Sequence, residues 1–198
     1  MANPLKQLKQ LEKLSSNHKL PSEIFVKPWQ SLISTMLSAR TTDKKTIEVC
    51  HVLFKKYKSI ESLSKASLTS IMKIVKPVNF YKTKAKNVSN CAKILDSKYN
   101  GNPPHDIKLL IELPGVGRKT ANVFLQYQGK AAIGVDTHVS YIAQKLKWTK
   151  NKKPELIEKD LERLFPRRYW GRINPALVRF GQTYKSRRKQ DEILKKLK

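Results

Sequence analysis

Leu113-Pro114-Gly115-Val116-Gly117-Arg118-Lys119-Thr120-Ala121, followed after a short apolar helical run by Val135-Asp136-Thr137-His138, is the stretch on which the reading of this chain turns. Residues 107–113 have a helical pattern that Pro114 stops, because proline cannot continue a helix interior. Residues 118–128 have another, ending near Gly129. Gly115-Val116-Gly117 joins them in a tight hairpin, where glycine permits φ > 0 and lets another backbone come close. The N–H groups opening the second helix then point outward at the positive end of its dipole, which suits a phosphate oxygen. Arg118 and Lys119 add positive charge at the same place. Paired glycines also occur in ordinary helix–helix turns; the whole run in a strongly basic chain is a stronger signal than Gly-x-Gly alone.

The basic character is extreme. The 198 residues hold 41 Lys plus Arg against 15 Asp plus Glu, a formal net charge of +26. Such an excess repels itself and favours a polyanionic partner. The length allows one large or two small domains. No apolar run is long enough to span a bilayer, and the first residues lack the apolar core of a signal peptide. An intracellular location and a partner other than a membrane are therefore expected. The two cysteines, Cys50 and Cys91, fall on apolar faces of helical patterns and are expected to be reduced core residues. Two thiols cannot supply a four-cysteine metal site within one chain.

Outside the hairpin, apolar residues recur at helical spacing in most segments. Leu5, Leu8, Leu11 and Leu14 form a short amphipathic face, broken by Ser15-Ser16-Asn17 and Pro21-Ser22. Residues 29–38, 47–57, 68–75, 85–99, 139–146, 156–165 and 170–180 each carry a further face. Pro77 to Tyr81 reads as a turn presenting Phe80 and Tyr81. From Lys185 onward the chain is dense in lysine and arginine, with at most a weak helix. Strict alternation nowhere lasts long enough for a strand. The fold is expected to be all-α, with about ten helices.

Lys119 and Asp136 are the candidate reactive pair. A lysine here serves most simply as a phosphate contact. Like charge from Arg118 works against its protonated form, however, and a neutral lysine amine is a nucleophile that forms Schiff bases. Asp136 stands where a helix begins and can cap it. A capped carboxylate is also held rigidly, so the two roles are compatible.

The hairpin, with Val135-Asp136-Thr137-His138 placed seventeen residues after Lys119, resembles the helix-hairpin-helix DNA glycosylase superfamily, and most closely its endonuclease III branch. Met36 to Asp43, Val78 to Ala85 and Phe180-Gly181-Gln182 resemble further segments of that branch, so the likeness spans about residues 24 to 184. It implies two helical domains flanking a DNA-binding cleft: a six-helix barrel over 22–130 containing the hairpin (113–121), and a discontinuous domain of 1–21 plus 131–198. It implies a flipped nucleotide, attack by Lys119 on C1′ to form an imine, and Asp136 as base or charge stabiliser. Asp43 is a weaker third candidate, with an ordinary first-turn position as its plainer role.

The same resemblance implies DNA contacts from Leu113, Gly115, Val116, Gly117, Arg118 and Thr120, and from Arg40, Thr41, Phe80 and Tyr81. Arg40 and the Phe80-Tyr81 turn would fill the gap left by the flipped base or touch the opposite strand. A monovalent cation at the hairpin carbonyls is compatible with it, although no side chain demands one. Members commonly end in four cysteines holding an iron–sulfur cluster. Here the corresponding segment reads Gly181-Gln182-Thr183-Tyr184-Lys185-Ser186-Arg187-Arg188-Lys189, with no cysteine. No cluster is expected, and Arg187, Arg188 and Lys189 are expected to supply phosphate contacts instead, a solvated tail being the alternative. The expected activity is a glycosylase and abasic-site lyase acting as a monomer on oxidised pyrimidines in double-stranded DNA. A mismatch thymine/uracil or adenine glycosylase, and a non-catalytic hairpin DNA-binding protein, stay open beside it.

Overall fold

The structure is a computed structural model that describes residues 3–197. Its elements are all helical: α1 (Pro4–Leu14), α2 (Pro21–Ile24), α3 (Pro28–Ser38), α4 (Asp43–Lys56), α5 (Ile60–Ser64), α6 (Leu68–Val75), α7 (Tyr81–Tyr99), α8 (Ile107–Ile111), α9 (Arg118–Tyr127), α10 (Thr137–Lys145), α11 (Pro154–Leu164), α12 (Trp170–Thr183) and α13 (Arg187–Lys196). A short 3-10 turn, Arg167–Tyr169, leads into α12. Among the described residues there is no strand, as the absence of alternating patterns requires.

Three of these helices lie outside the periodic reading. α2 begins on Pro21, which suits the first helical position because its missing N–H needs no partner there. Glu23 Oε2 accepts from the Leu20 N–H at 2.8 Å and completes the start. α5 opens with a reciprocal cap: the Ser62 N–H donates to Ser59 Oγ (3.1 Å) and the Ser59 N–H to Ser62 Oγ (3.2 Å). Helices of four and five residues are too short to show a period. α13 is the larger correction, because the segment expected to be weakly helical at most is a ten-residue helix. Gln190 and Leu194, four apart on one face, are both about fully buried, at 1% exposure each. Its apolar residues, Ile193, Leu194 and Leu197, are confined to the last turns behind a run of charges, which hid that face.

Chain contacts divide the protein into two compact units, Lys19–Gln128 and a second made of Met1–His18 with Gly129–Lys198. In the first, α7 packs on α5, α6 and α3, while α3 also packs on α4 and α9. Its core includes Leu32, Ile33, Leu37, Leu53, Val88 and Phe124. Cys50 and Cys91 are free, buried members of it, and burial raises both thiols, that of Cys91 to about 12.

In the second unit α12 packs on α1 and α10, and α13 on α10. Leu8 and Leu11 of α1 join Val139, Ile142, Leu161, Phe165, Leu177, Phe180 and Leu194 in one core. Gln7, buried with them, accepts from Trp148 Nε1 (2.6 Å) and donates to the Leu197 carbonyl (2.8 Å). Gln190 donates to the carbonyls of Gly181 (3.2 Å) and Tyr184 (2.5 Å). The Tyr141 hydroxyl and Lys145 both bond Asp191, at 2.5 and 2.8 Å. The chain's end is thus fastened by apolar and polar contacts together.

Candidate nucleic-acid interface and active-site residues

The hairpin forms where the sequence places it. Asp106 caps α8, accepting from the N–H groups of Lys108 (2.6 Å) and Leu109 (3.3 Å). The Leu113 N–H returns to the Leu110 carbonyl and the Val116 N–H to that of Leu113. Gly115 takes φ +80°, and a Cβ there would lie 2.8 Å from Asn87 of α7. It therefore meets both glycine conditions, left-handed backbone and close approach. Gly117 meets neither: its φ is −89° and nothing approaches the place where a Cβ would stand. It is the N-cap residue of α9 and supplies no side chain to the helix start. The cap residue therefore adds no side-chain acceptor beside the first-turn N–H groups of α9.

Burial separates the hairpin residues by the kind of contact each can make. Leu113, Val116 and Thr120 are buried, at 3, 5 and 8% exposure, so little of their side chains reaches the surface. Gly115, Gly117 and Arg118 are exposed, and Lys119, the second residue of α9, is half-buried.

A second group of expected contacts gathers at the end of α3. Arg40 and Phe80, exposed and 40 residues apart in the chain, stack with the guanidinium 5.0 Å from the ring centre. Both have left-handed backbone, at φ 54° and 58°. Asn79 joins their turns, its Nδ2 donating to the Arg40 carbonyl (2.5 Å) and its N–H to Thr41 Oγ1 (3.3 Å). Tyr81 is half-buried at the start of α7. Asp43 occupies the first turn of α4, where a carboxylate suits the helix dipole.

Lys84 is the residue this region adds to those expected by type. It is the buried lysine among the described residues, at 9% exposure, and donates to the carbonyls of Leu37 (2.7 Å) and Ala39 (2.6 Å) and to Thr41 Oγ1 (2.9 Å). Burial lowers its ammonium from the ordinary lysine value to about 8. The signal was in the sequence: position 84 falls on the stripe formed by Val88, Cys91, Ala92 and Leu95, where a lysine is out of place.

In the other unit, Asp136 is the N-cap of α10, with Oδ1 accepting from His138 N and Val139 N, both at 2.9 Å. Both cap bonds use one oxygen, so capping leaves Oδ2 for another role. His138 packs on α12 at Gly181, where a Cβ would overlap the imidazole ring. Asp136 lines an open cavity of about 470 Å³ with Thr137, Ser140, Tyr141, Gln144 and Arg187. The Arg187 guanidinium lies 3.7 Å over the Tyr141 ring, and its Nη1 donates to Gln190 Oε1 at 2.8 Å. Arg188 and Lys189 instead approach Glu192, at 3.5 and 3.6 Å. The three expected contacts of the basic segment are therefore not equivalent. Among the described residues no cluster of three or more His, Cys, Asp or Glu could hold a metal ion, and no helix is long and apolar enough to cross a membrane.

Residues 33–167 match the HhH-GPD superfamily base excision DNA repair proteins, and the chain belongs to that family, on its endonuclease III branch. Endonuclease III of Thermotoga maritima is 41% identical over 157 residues, 78% of this chain and 73% of that protein. Endonuclease III-like protein 1 of Mus musculus is 36% identical over 161 residues, 79% of this chain. The match spans about half of the mouse protein, 54% of its length. Among solved structures, a trapped covalent endonuclease III–DNA intermediate superposes with a TM-score of 0.77 at 30% identity, covering 90% of this chain and 84% of that one.

Proposed function

We propose that this protein is a bifunctional DNA glycosylase and abasic-site lyase of the endonuclease III type, removing oxidised pyrimidines from double-stranded DNA. The observation that carries the reading is the likeness over 90% of the chain to an endonuclease III trapped covalently on DNA. It is supported by Lys119 in the first turn of α9, behind a glycine cap. The unit Lys19–Gln128 is read as the barrel domain that carries the hairpin.

Lys119 acts as the nucleophile. As the free amine it attacks C1′ of the extracted nucleotide, the base departs, and the opened sugar becomes an imine on the lysine. Loss of a C2′ proton then expels the 3′ phosphate and nicks the strand. Asp136 takes the lysine proton or stabilises positive charge on the sugar, through the oxygen that the α10 cap does not use. The exposed hairpin glycines and Arg118 bind phosphate, and Arg40 with Phe80 occupies the duplex beside the extracted nucleotide. Arg187 binds a backbone phosphate beside Asp136.

The residues present do not fit a four-cysteine cluster. The two thiols are buried in α4 and α7, and the segment from Gly181 to Lys189 has none. The docking of α13 holds this part of the fold.

Borohydride trapping on a duplex with an abasic site tests the reading. Wild type is expected to form a covalent adduct and Lys119→Ala none; undiminished trapping of Lys119→Ala rejects the assignment. Asp136→Asn is expected to bind DNA normally and to lose roughly a hundredfold or more in turnover. A panel of thymine glycol, uracil and mismatched-thymine duplexes checks the substrate class, with thymine glycol expected to be cleaved best.

A further inference from the structure

Lys84 is buried, cationic and outside the chemistry assigned to Lys119. An ammonium has three N–H donors and no acceptor. All three are spent, on the carbonyls of Leu37 and Ala39 and on Thr41 Oγ1. Lys84 therefore has nothing left for a phosphate, and burial alone accounts for the direction of its titration. Taking an ammonium out of water without a carboxylate partner is unfavourable, so the position calls for an account that hydrophobic packing does not give.

The acceptors supply one. Leu37 and Ala39 are at the C-terminal end of α3, where helix carbonyls lack intrahelical partners and the dipole is negative. Thr41 lies in the turn that follows. Lys84 itself is in the first turn of α7, its N–H donating to the Phe80 carbonyl at 3.0 Å. One side chain thus ties the Arg40 turn to the Phe80 turn. Both turns carry a bulky residue in left-handed backbone, at φ 54° and 58°. Such backbone is disfavoured for side chains of this size and persists only where the surroundings over-determine it. Here the surroundings are the three bonds of Lys84 and the two of Asn79. What they hold is an exposed pair, with Phe80 59% accessible and the Arg40 guanidinium stacked on its ring.

We propose that Lys84 is a positioning residue that locks Arg40 and Phe80 into one preassembled tip, ready to enter the duplex where the nucleotide leaves. The inference rests on the reading of that tip as a DNA contact. A preassembled tip spares the ordering of two long side chains at the moment of extrusion. Its benefit is confined to substrates whose nucleotide must be drawn out of a stack; a single strand makes no such demand. A merely structural lysine would affect both substrates equally.

The test compares borohydride trapping of one abasic-site oligonucleotide as duplex and as single strand. Lys84→Met is expected to slow trapping on the duplex on the order of tenfold, the scale of one lost base–aromatic stack, and on the single strand by less than about twofold. Equal loss on both substrates, or an unchanged duplex rate, overturns the proposal. Asn79→Ala removes the surface half of the same tether without touching the buried amine, and is expected to show the same duplex-selective loss. It decides the matter if Lys84→Met does not fold, an unaltered duplex-to-single-strand ratio then counting against the proposal. A wild type that traps on neither substrate overturns the catalytic reading and this inference with it. A wild type that traps, with variants that lose both activities together, overturns this inference alone.

Discussion

Gly181 shows how one hydrogen atom in place of a side chain can set the geometry around the carboxylate of Asp136. It lies inside α12, where alanine would ordinarily be better by about 1 kcal/mol. Here an added Cβ would stand 2.7 and 2.8 Å from Cε1 and Cγ of His138, against the body of the ring. His138 is the residue whose N–H holds Asp136 Oδ1, so relief by moving that ring disturbs the cap. Overpacking of this kind costs about 1–3 kcal/mol, which outweighs the propensity gain. Gly181→Ala is therefore expected to lower the urea unfolding free energy by roughly 1–2 kcal/mol and to slow trapping on abasic duplex. A variant as stable as wild type would show that the α10–α12 approach is loose. At this scale legibility was uneven. Gly115 and the capping role of Asp136 followed from local rules, because turns and caps are decided by neighbouring residues. The contact of Gly181 with His138 joins residues 43 positions apart, and no local pattern announces it.

The helices visible as periodic faces are those that bury several apolar residues in a row of turns, as α7 does with Ala85, Val88, Cys91, Ala92 and Leu95. α13 shows in the sequence as a weak helix at most, because polar contacts share its hold with Leu194. Gln190 is its keystone, donating to the carbonyls of Gly181 and Tyr184 while accepting from Arg187. Gln190→Ala leaves those carbonyls without that donor, at a cost of about 1–3 kcal/mol, and frees Arg187 from one of its two anchors. The variant is expected to unfold about 2 kcal/mol more easily in urea and to bind DNA more weakly. A change under about 0.5 kcal/mol, the scatter of ordinary surface substitutions, would mean that α13 is fastened by Leu194 and the Asp191 bonds alone. Removing residues 186–198 outright would also strip Leu194 from the core. Point substitutions on the helix are therefore the cleaner test of its DNA contacts.

For the molecule as a whole, 41 basic residues against 15 acidic ones foretold a polyanion but not which cations meet it. Composition counts charges without placing them. Several are engaged internally: Lys145 with Asp191, Arg172 with Glu12, and Arg188 and Lys189 near Glu192. Lys84 is spent on α3. Arg187 differs, since stacking on Tyr141 and bonding to Gln190 hold the guanidinium, and the residue lines the cavity that also holds Asp136. Affinity for duplex DNA depends on salt through the number of phosphates neutralised, at about 0.9 in log–log slope per phosphate. Net charge by itself does not enter. Arg187→Ala is therefore expected to reduce the magnitude of that slope by about 1, the value of one phosphate contact. Arg188→Ala and Lys189→Ala, whose charges already face a carboxylate, are expected to change it by less than about half as much. Fluorescence anisotropy across a salt series, on one abasic-site duplex, measures all three. Equal reductions from the three substitutions would mean that the basic segment acts as a diffuse cloud of charge, and the phosphate role assigned to Arg187 would fall.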